Sequence, residues 1–398
     1  MLRENKKKEV KKVKILHTSD WHLGRTLHGY SLIEDQRYIL DQLLDCIQKE
    51  LVDVLIIAGD VYDKAIPNEA AVELFNAFLG KVILEYKIET LIIAGNHDSH
   101  ERLNFGSEIF RSQKLYIVGT CKRGYERVTL KKGEEVIDVY MLPYVEPAEV
   151  RQLAGDENIR RHNEAMGYLT EAILAEKREV PTLLVAHAFV TGGDVSDSER
   201  RLSVVGGAEL VDASHFMDFT YTALGHLHKR QAMGSHSIRY SGSLLKYSVS
   251  EANQKKGFVL LEIDKEGLLT VEERELIPLR DVRVLKGPLE KLIEEAISDE
   301  HREDYVYARI VGIDVENSVA RLRNVYPHIL GTEFVEESKE AGETQEVGSS
   351  DFLNQKQKSI TEVFMEFLGY VSDKTFEEEE RTYIQKVITE IEEGRDET

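Results

Sequence analysis

The chain has 398 residues, 42% hydrophobic and 31% charged, which is too long for one ordinary core and points to two or three domains. No run of about 18 apolar residues occurs, which excludes a membrane-spanning helix; the two cysteines, Cys46 and Cys121, stand outside any CxxC, which argues against a disulfide framework or thiolate metal site and fits a reducing cytoplasm. The formal charge of −21 looks wrong for a nucleic-acid partner, but residues 1–250 carry 32 Lys+Arg against 36 Asp+Glu, whereas residues 251–398 carry 19 against 36.

In chain order, residues 1–12 form a basic tail with no apolar stretch behind it, which reads as solvated and not as a secretory signal. VKILH (13–17) is a short apolar run that ends in the polar TSDWH, as a buried strand opening into a site would. Residues 34–51 carry Ile39, Leu40, Leu43, Leu44 and Ile47 at helical spacing. VDVLIIAGD (52–60) is a second buried strand, 68–86 is again helical, and ETLIIAGNHD (89–98) is a third strand. Strands alternating with helices predict parallel pairing, which collects sites at the carboxyl ends of the strands.

Further strands are expected at 115–118, 136–142, 181–190, 219–230, 237–243 and 257–263, with a helix over 160–178. From about 280 the pattern changes to a small α/β unit: PLEKLIEEAI helical, YVYARIVGI extended, ENSVARLRNVYP helical. Residues 338–358 are polar with scattered Gly and Ser and read as a linker. The last forty residues alternate apolar and acidic positions at helical spacing.

Five polar clusters follow apolar strands: Asp20-Trp21-His22, Gly59-Asp60, Gly95-Asn96-His97-Asp98, Ala186-His187 and Gly225-His226-Leu227-His228. Each alone has a bland reading. A DxH is usually a polar loop, a GD a turn, and a buried His a satisfied core residue. Five at successive strand ends, in a sheet where those ends converge, do not read that way together. Carboxylate, imidazole and amide donors in this mixture suit a borderline-hard divalent cation such as Mn²⁺. Trp21, between two of these residues, is expected to serve packing rather than base stacking.

DxH, GDxxD, GNHD, a His after a strand and GHxH, in this order, resemble the calcineurin-like metallophosphoesterases. HTSDWHLG (17–24), AGDVYD (58–63), AGNHDS (94–99), VSDSERRLSVVGG (195–207), ALGHLH (223–228) and RYSGS (239–243) are similar to SbcD-type nucleases, the bacterial counterparts of the eukaryotic break-repair nuclease. The resemblance implies an α/β sandwich with helices on both faces over 13–275, a small α/β capping domain for DNA recognition over 276–337, the linker at 338–358, and a helical partner-binding segment at 359–398.

It also implies two divalent ions, most simply Mn. The first would be held by Asp20, His22, Asp60 and His228, and the second by Asp60, Asn96, His187 and His226, with Asp60 shared. Such ions sit roughly 3.5–4 Å apart and activate a water for in-line attack on phosphorus. His97 would face the scissile phosphate without touching the ions, and Asp63 resembles the residue that orients this His in related phosphatases. Arg25, Lys64, Arg102, Arg200, Arg201, Lys229, Arg230 and Lys246 are candidate phosphate-backbone contacts.

The implied activity is exonuclease and endonuclease cleavage at duplex DNA ends and hairpins, in the cytoplasm. The implied partner is an SbcC-type coiled-coil ATPase, in an assembly of two nuclease and two ATPase subunits. A stand-alone phosphodiesterase or phosphatase acting on nucleotides, and a non-catalytic scaffold, remain open alternatives.

Overall fold

The computed structural model describes residues 12–122, 124–199, 209–267, 269–312 and 317–335. The basic tail, Arg200 and Arg201, the linker at 338–358 and the segment at 359–398 lie outside the described residues, apart from Lys12.

The apolar runs form strands β1 (Val13–Thr18), β2 (Val54–Ala58), β3 (Glu89–Ile93), β4 (Leu115–Val118), β5 (Glu126–Lys132), β6 (Glu135–Leu142), β7 (Thr182–His187), β8 (Tyr221–Gly225), β9 (Gln231–Met233), β10 (Ser235–Tyr240), β11 (Gly257–Ile263) and β12 (Leu269–Glu275). The amphipathic stretches form helices α1 (Ile33–Lys49), α2 (Glu69–Leu79), α3 (Pro147–Ala154) and α4 (His162–Ala175). Asn68 caps α2 by accepting from the Ala71 N–H at 2.9 Å. A wider π turn, Gly80–Glu85, completes the helical stretch.

Two six-stranded sheets result, in the orders β12-β11-β1-β2-β3-β4 and β9-β10-β8-β7-β6-β5. The pairs β1/β2, β2/β3 and β3/β4 are parallel, as are β6/β7, β7/β8 and β8/β10. The remaining pairs are antiparallel. Alternation along each strand divides the core in three. Ile15, Ile56, Leu91 and Ile93 meet Val139, Leu183, Val185 and Ala223 between the sheets. Leu16, Leu55, Ile57 and Ile92 face the other way onto α1 and α2. Tyr140, Leu184, Leu224 and Ile238 pack against Met166, Leu169 and Ile173 of α4. The order is therefore helix, sheet, sheet, helix.

Three parallel strands, β13 (Val282–Gly287), β14 (Tyr305–Val311) and β15 (Ile329–Val335), form a third sheet. With α5 (Leu289–Glu295) and α6 (Ser318–Arg323) it has its own core of Leu292, Val306, Ala308, Ile310, Leu322 and Tyr326. It joins the sandwich at the start of α1. Buried Asp35 accepts from Arg280 Nη1 and Tyr305 Oη, each at 2.8 Å. Strands β5, β9, β12, β13 and β15 were not anticipated; all five are sheet edges.

Candidate metal centre

Beyond the strands, the loops keep running side by side. After β1 and β2 end, Asp20 N donates to Gly59 O at 3.0 Å, His22 N to Asp60 O at 3.0 Å and Leu23 N to Val61 O at 2.9 Å. Carrying this pairing through sharp turns places Asp20, His22 and Asp60 at φ 53°, 44° and 51°, and His226 at φ 111°. Non-glycine residues seldom adopt such conformations, each costing on the order of 1–3 kcal/mol. Glycine is required where loops touch: a Cβ on Gly95 would overlap the Asp60 carboxylate, and one on Gly225 the Ala58 carbonyl.

The loops gather all seven anticipated donors. Asp20, His22, Asp60, His187, His226 and His228 are buried, and Asn96 is half-buried. Ligand atoms of Asp20, His22 and His228 lie within 4.8 Å of one another, as do those of Asp20, Asp60 and His187. Asn96 Oδ1 lies 3.0 Å from His187 Nε2 and 3.2 Å from His226 Nδ1. His22 Nε2 and His228 Nε2 face each other at 3.0 Å. His187 Nδ1 donates to the Ala58 carbonyl at 2.9 Å, so its Nε2 lone pair points into the cluster.

The electrostatics match a cation site. Burial, then the charge of Asp60, pushes the Asp20 carboxyl well above its ordinary range. Burial holds His22, His187 and His226 below theirs, so these imidazoles stay neutral with lone pairs available. Buried carboxylates and converging imidazole lone pairs are costly without a positive partner, and a nitrogen–oxygen donor set of this kind fits divalent cations.

His97 stands at the mouth of the cluster, its ring centroid 4.7 Å from that of His22. Its backbone N–H donates to Asp60 Oδ1 at 2.9 Å and its Nδ1 to the Asp63 backbone carbonyl at 2.9 Å. The Asp63 main chain therefore holds His97, whereas the Asp63 carboxylate accepts from Arg25 at 3.2 Å and lies 3.8 Å from His22 Nδ1. A ligand nitrogen of His97 is also within 4.8 Å of donor atoms of His22 and Asp60. His97, Asn96, Arg25, Asp63 and Lys64 line an open pocket of about 520 Å³.

Other anticipated residues divide. Trp21 is fully buried, donates to Thr18 Oγ1 at 2.9 Å and packs edge-on against Phe75 and Phe78, so it is a packing residue. Lys229, Arg230 and Lys246 are tied up in ion pairs with Asp194, Glu273 and Asp281. Lys64 and Arg102 make no side-chain hydrogen bond or ion pair among the described residues. Sequence reasoning assigned no role to Asp98, whose carboxylate accepts from the N–H groups of Gly95, Val61 and Tyr62 and so ties two ligand loops together. Burial, reinforced by Asp60, lifts its carboxyl to about 7. Gln36 was also missed; it donates to His22 O at 2.8 Å and accepts from Gly24 N at 2.9 Å.

Residues 13–230 match the family model for calcineurin-like phosphoesterases. Residues 278–371 match a model described as the type 5 capsule protein repressor C-terminal domain. The SbcD subunit of nuclease SbcCD from Staphylococcus epidermidis is 36% identical over 325 residues, covering 80% of this chain and 84% of that protein. Its namesake in Staphylococcus saprophyticus subsp. saprophyticus is 38% identical over 323 residues, with the same coverage. Among solved structures, a dimetal phosphatase from Danio rerio aligns over 67% of this chain and 98% of its own at 13% identity, with a TM-score of 0.34. The fold and the first match make this protein a calcineurin-like phosphoesterase, a metal-dependent hydrolase of phosphoester bonds. Within that class, the chain belongs to the SbcD nuclease family.

Proposed function

We propose that this protein is a DNA nuclease subunit that hydrolyses phosphodiester bonds at duplex ends and hairpins with two divalent cations, Mn²⁺ by preference. The observation that supports it most is the convergence of seven donors from five strand-end loops around Asp60 in a chain whose relatives carry the nuclease name. Asp20, His22, Asp60 and His228 would hold one ion, and Asp60, Asn96, His187 and His226 the other. When bound, such ions supply Lewis acidity, lowering the pKa of a water molecule and neutralising charge on phosphate oxygens.

The remaining work falls to the chain itself. The Asp63 carbonyl keeps the His97 proton on Nδ1, which leaves Nε2 able to hold or pass a proton beside the substrate phosphate. Arg25 and Lys64, on the same pocket, position the phosphate backbone. The unit built on β13, β14 and β15 would hold duplex DNA against the sandwich. An SbcC-type coiled-coil ATPase would bind the 359–398 segment, in a cytoplasmic assembly of two copies of each subunit.

The test compares Mn²⁺-dependent release of nucleotides from linear duplex DNA with turnover of a small phosphodiester. Release from DNA that is abolished by EDTA is expected. Turnover of the small ester alone would instead favour a stand-alone phosphodiesterase, and undiminished DNA cleavage in excess EDTA would remove the metal reading.

A further inference from the structure

A buried polar chain behind His228 belongs to none of the seven donors. Ser198 Oγ lies 2.6 Å from His228 Nδ1, and the same hydroxyl donates to Glu251 Oε1. Glu251 is fully buried, and its second oxygen is ion-paired with Lys256 Nζ, itself 6% exposed. The His228 backbone is clamped as well. Its N–H donates to Glu199 Oε1 at 2.8 Å, and its carbonyl accepts from Lys256 Nζ at 2.8 Å. Residues 198–199 and 251–256 thus converge on one histidine.

The inventory of donors gives this chain a direction. A carboxylate paired with an ammonium can only accept, and a serine hydroxyl has one hydrogen. The Ser198 hydrogen is committed to Glu251, so Ser198 meets His228 Nδ1 with a lone pair. His228 Nδ1 must then carry the imidazole hydrogen. That leaves Nε2 unprotonated, and Nε2 is the atom that faces His22 Nε2 at 3.0 Å.

We propose that Ser198 and Glu251 are positioning residues that hold His228 in the tautomer whose free Nε2 can bind a metal ion, with Lys256 setting the direction of the chain. This rests on reading His228 as a ligand. It goes beyond that reading by assigning the ligand's competence to residues that touch neither ion nor substrate. Partners of ligating imidazoles typically contribute about 10–100-fold in metal affinity.

The decisive variant is Glu251→Gln. Lys256 still needs an acceptor, so the amide oxygen turns to the ammonium and the amide NH₂ to Ser198. Ser198 then accepts from Gln and donates to His228 Nδ1, which moves the imidazole hydrogen to Nε2. Histidine-selective ¹⁵N NMR of the EDTA-treated full chain reads the tautomer directly. The Nδ1–H form is expected for His228 in the native protein and the Nε2–H form in Glu251→Gln.

Mn²⁺ titration should show affinity lowered roughly 10–100-fold in Glu251→Gln and Ser198→Ala, and restored in Ser198→Thr, which keeps the hydroxyl. Glu251→Gln retains the buried volume, so the test survives if Ser198→Ala fails to fold. A native Nε2–H tautomer, or unchanged Mn²⁺ affinity in a folded Glu251→Gln, overturns the proposal. If the native protein binds no Mn²⁺, the ligand reading fails by itself, and the tautomer comparison still decides whether the relay exists.

Discussion

Asp60 is the residue on which the site turns. Its carboxylate faces His22 at 3.5 Å and His187 at 3.6 Å, and it accepts from the His97 N–H. Asp60→Ala should therefore abolish metal binding. His97→Ala should keep bound metal and lose turnover, because the proposed role of His97 is on the phosphate. Elemental analysis of both purified variants, beside a nuclease assay, checks this. Equal metal loss in the two would make His97 a ligand, which its closeness to His22 and Asp60 permits. Gly95 tests the same carboxylate from behind. A Cβ there meets the Asp60 side chain and backbone nitrogen, and overpacking a filled site costs about 1–3 kcal/mol. Gly95→Ala should lower Tm by several degrees and weaken Mn²⁺ binding, both readable in one thermal-shift titration with metal.

At the scale of elements, the strand-end clusters were legible because apolar runs of five or six residues broke abruptly into Asp, Asn and His. Edge strands gave no such signal. β5 reads ERVTLKK and β12 reads LTVEERE, since a strand with one open side carries charge that disguises its period. The support behind the ligands was also illegible. Ser198 and Glu251 lie 53 positions apart and acquire their meaning only when folding brings both to His228. Asp63 was legible as a residue near His97 but not as to which of its atoms acts, because a motif records side chains and the contact is made by a carbonyl.

His17 belongs to this scale as well, since it joins the two sheets from β1 to β8. Its Nδ1 lies 3.0 Å from Tyr221 Oη and its Nε2 lies 3.2 Å from the Leu224 carbonyl. Burial lowers its pKa to about 3. The unfolded chain, with a His near 6.5, binds this proton more readily than the fold does. His17 therefore contributes stability above pH about 6.5 that is lost as pH falls toward 3. His17→Gln removes the titration. Its Tm should fall less steeply than the native protein's between pH 6.5 and 4, measured in EDTA so that metal release does not enter. Parallel curves would show that His17 does not contribute to acid sensitivity.

Across the whole molecule, the third sheet and the metal cluster meet on one turn of α1. Arg280 bonds both Glu34 and Asp35, and Tyr305 adds a second donor to Asp35. The next residue, Gln36, holds the backbone of His22 and Gly24. Consecutive side chains of one helix thus grip the small unit on one side and the first ligand loop on the other. Arg280→Ala leaves the Asp35 carboxylate, 1% exposed, with Tyr305 as its remaining side-chain partner. Breaking a buried charge pair of this kind costs about 3–5 kcal/mol, discounted here because Arg280 is partly exposed. If the small unit holds duplex DNA in place, loosening this junction should reduce cleavage of long duplex more than hydrolysis of a small phosphodiester, which under the proposed mechanism needs only the ions and His97. The ratio of the two rates, taken at saturating Mn²⁺ well below the variant's Tm, isolates that effect from stability. An equal fall in both rates would mean that the junction acts through Gln36 on the ligand loop. An unchanged ratio with unchanged rates would mean that the small unit contributes nothing to duplex cleavage through this contact.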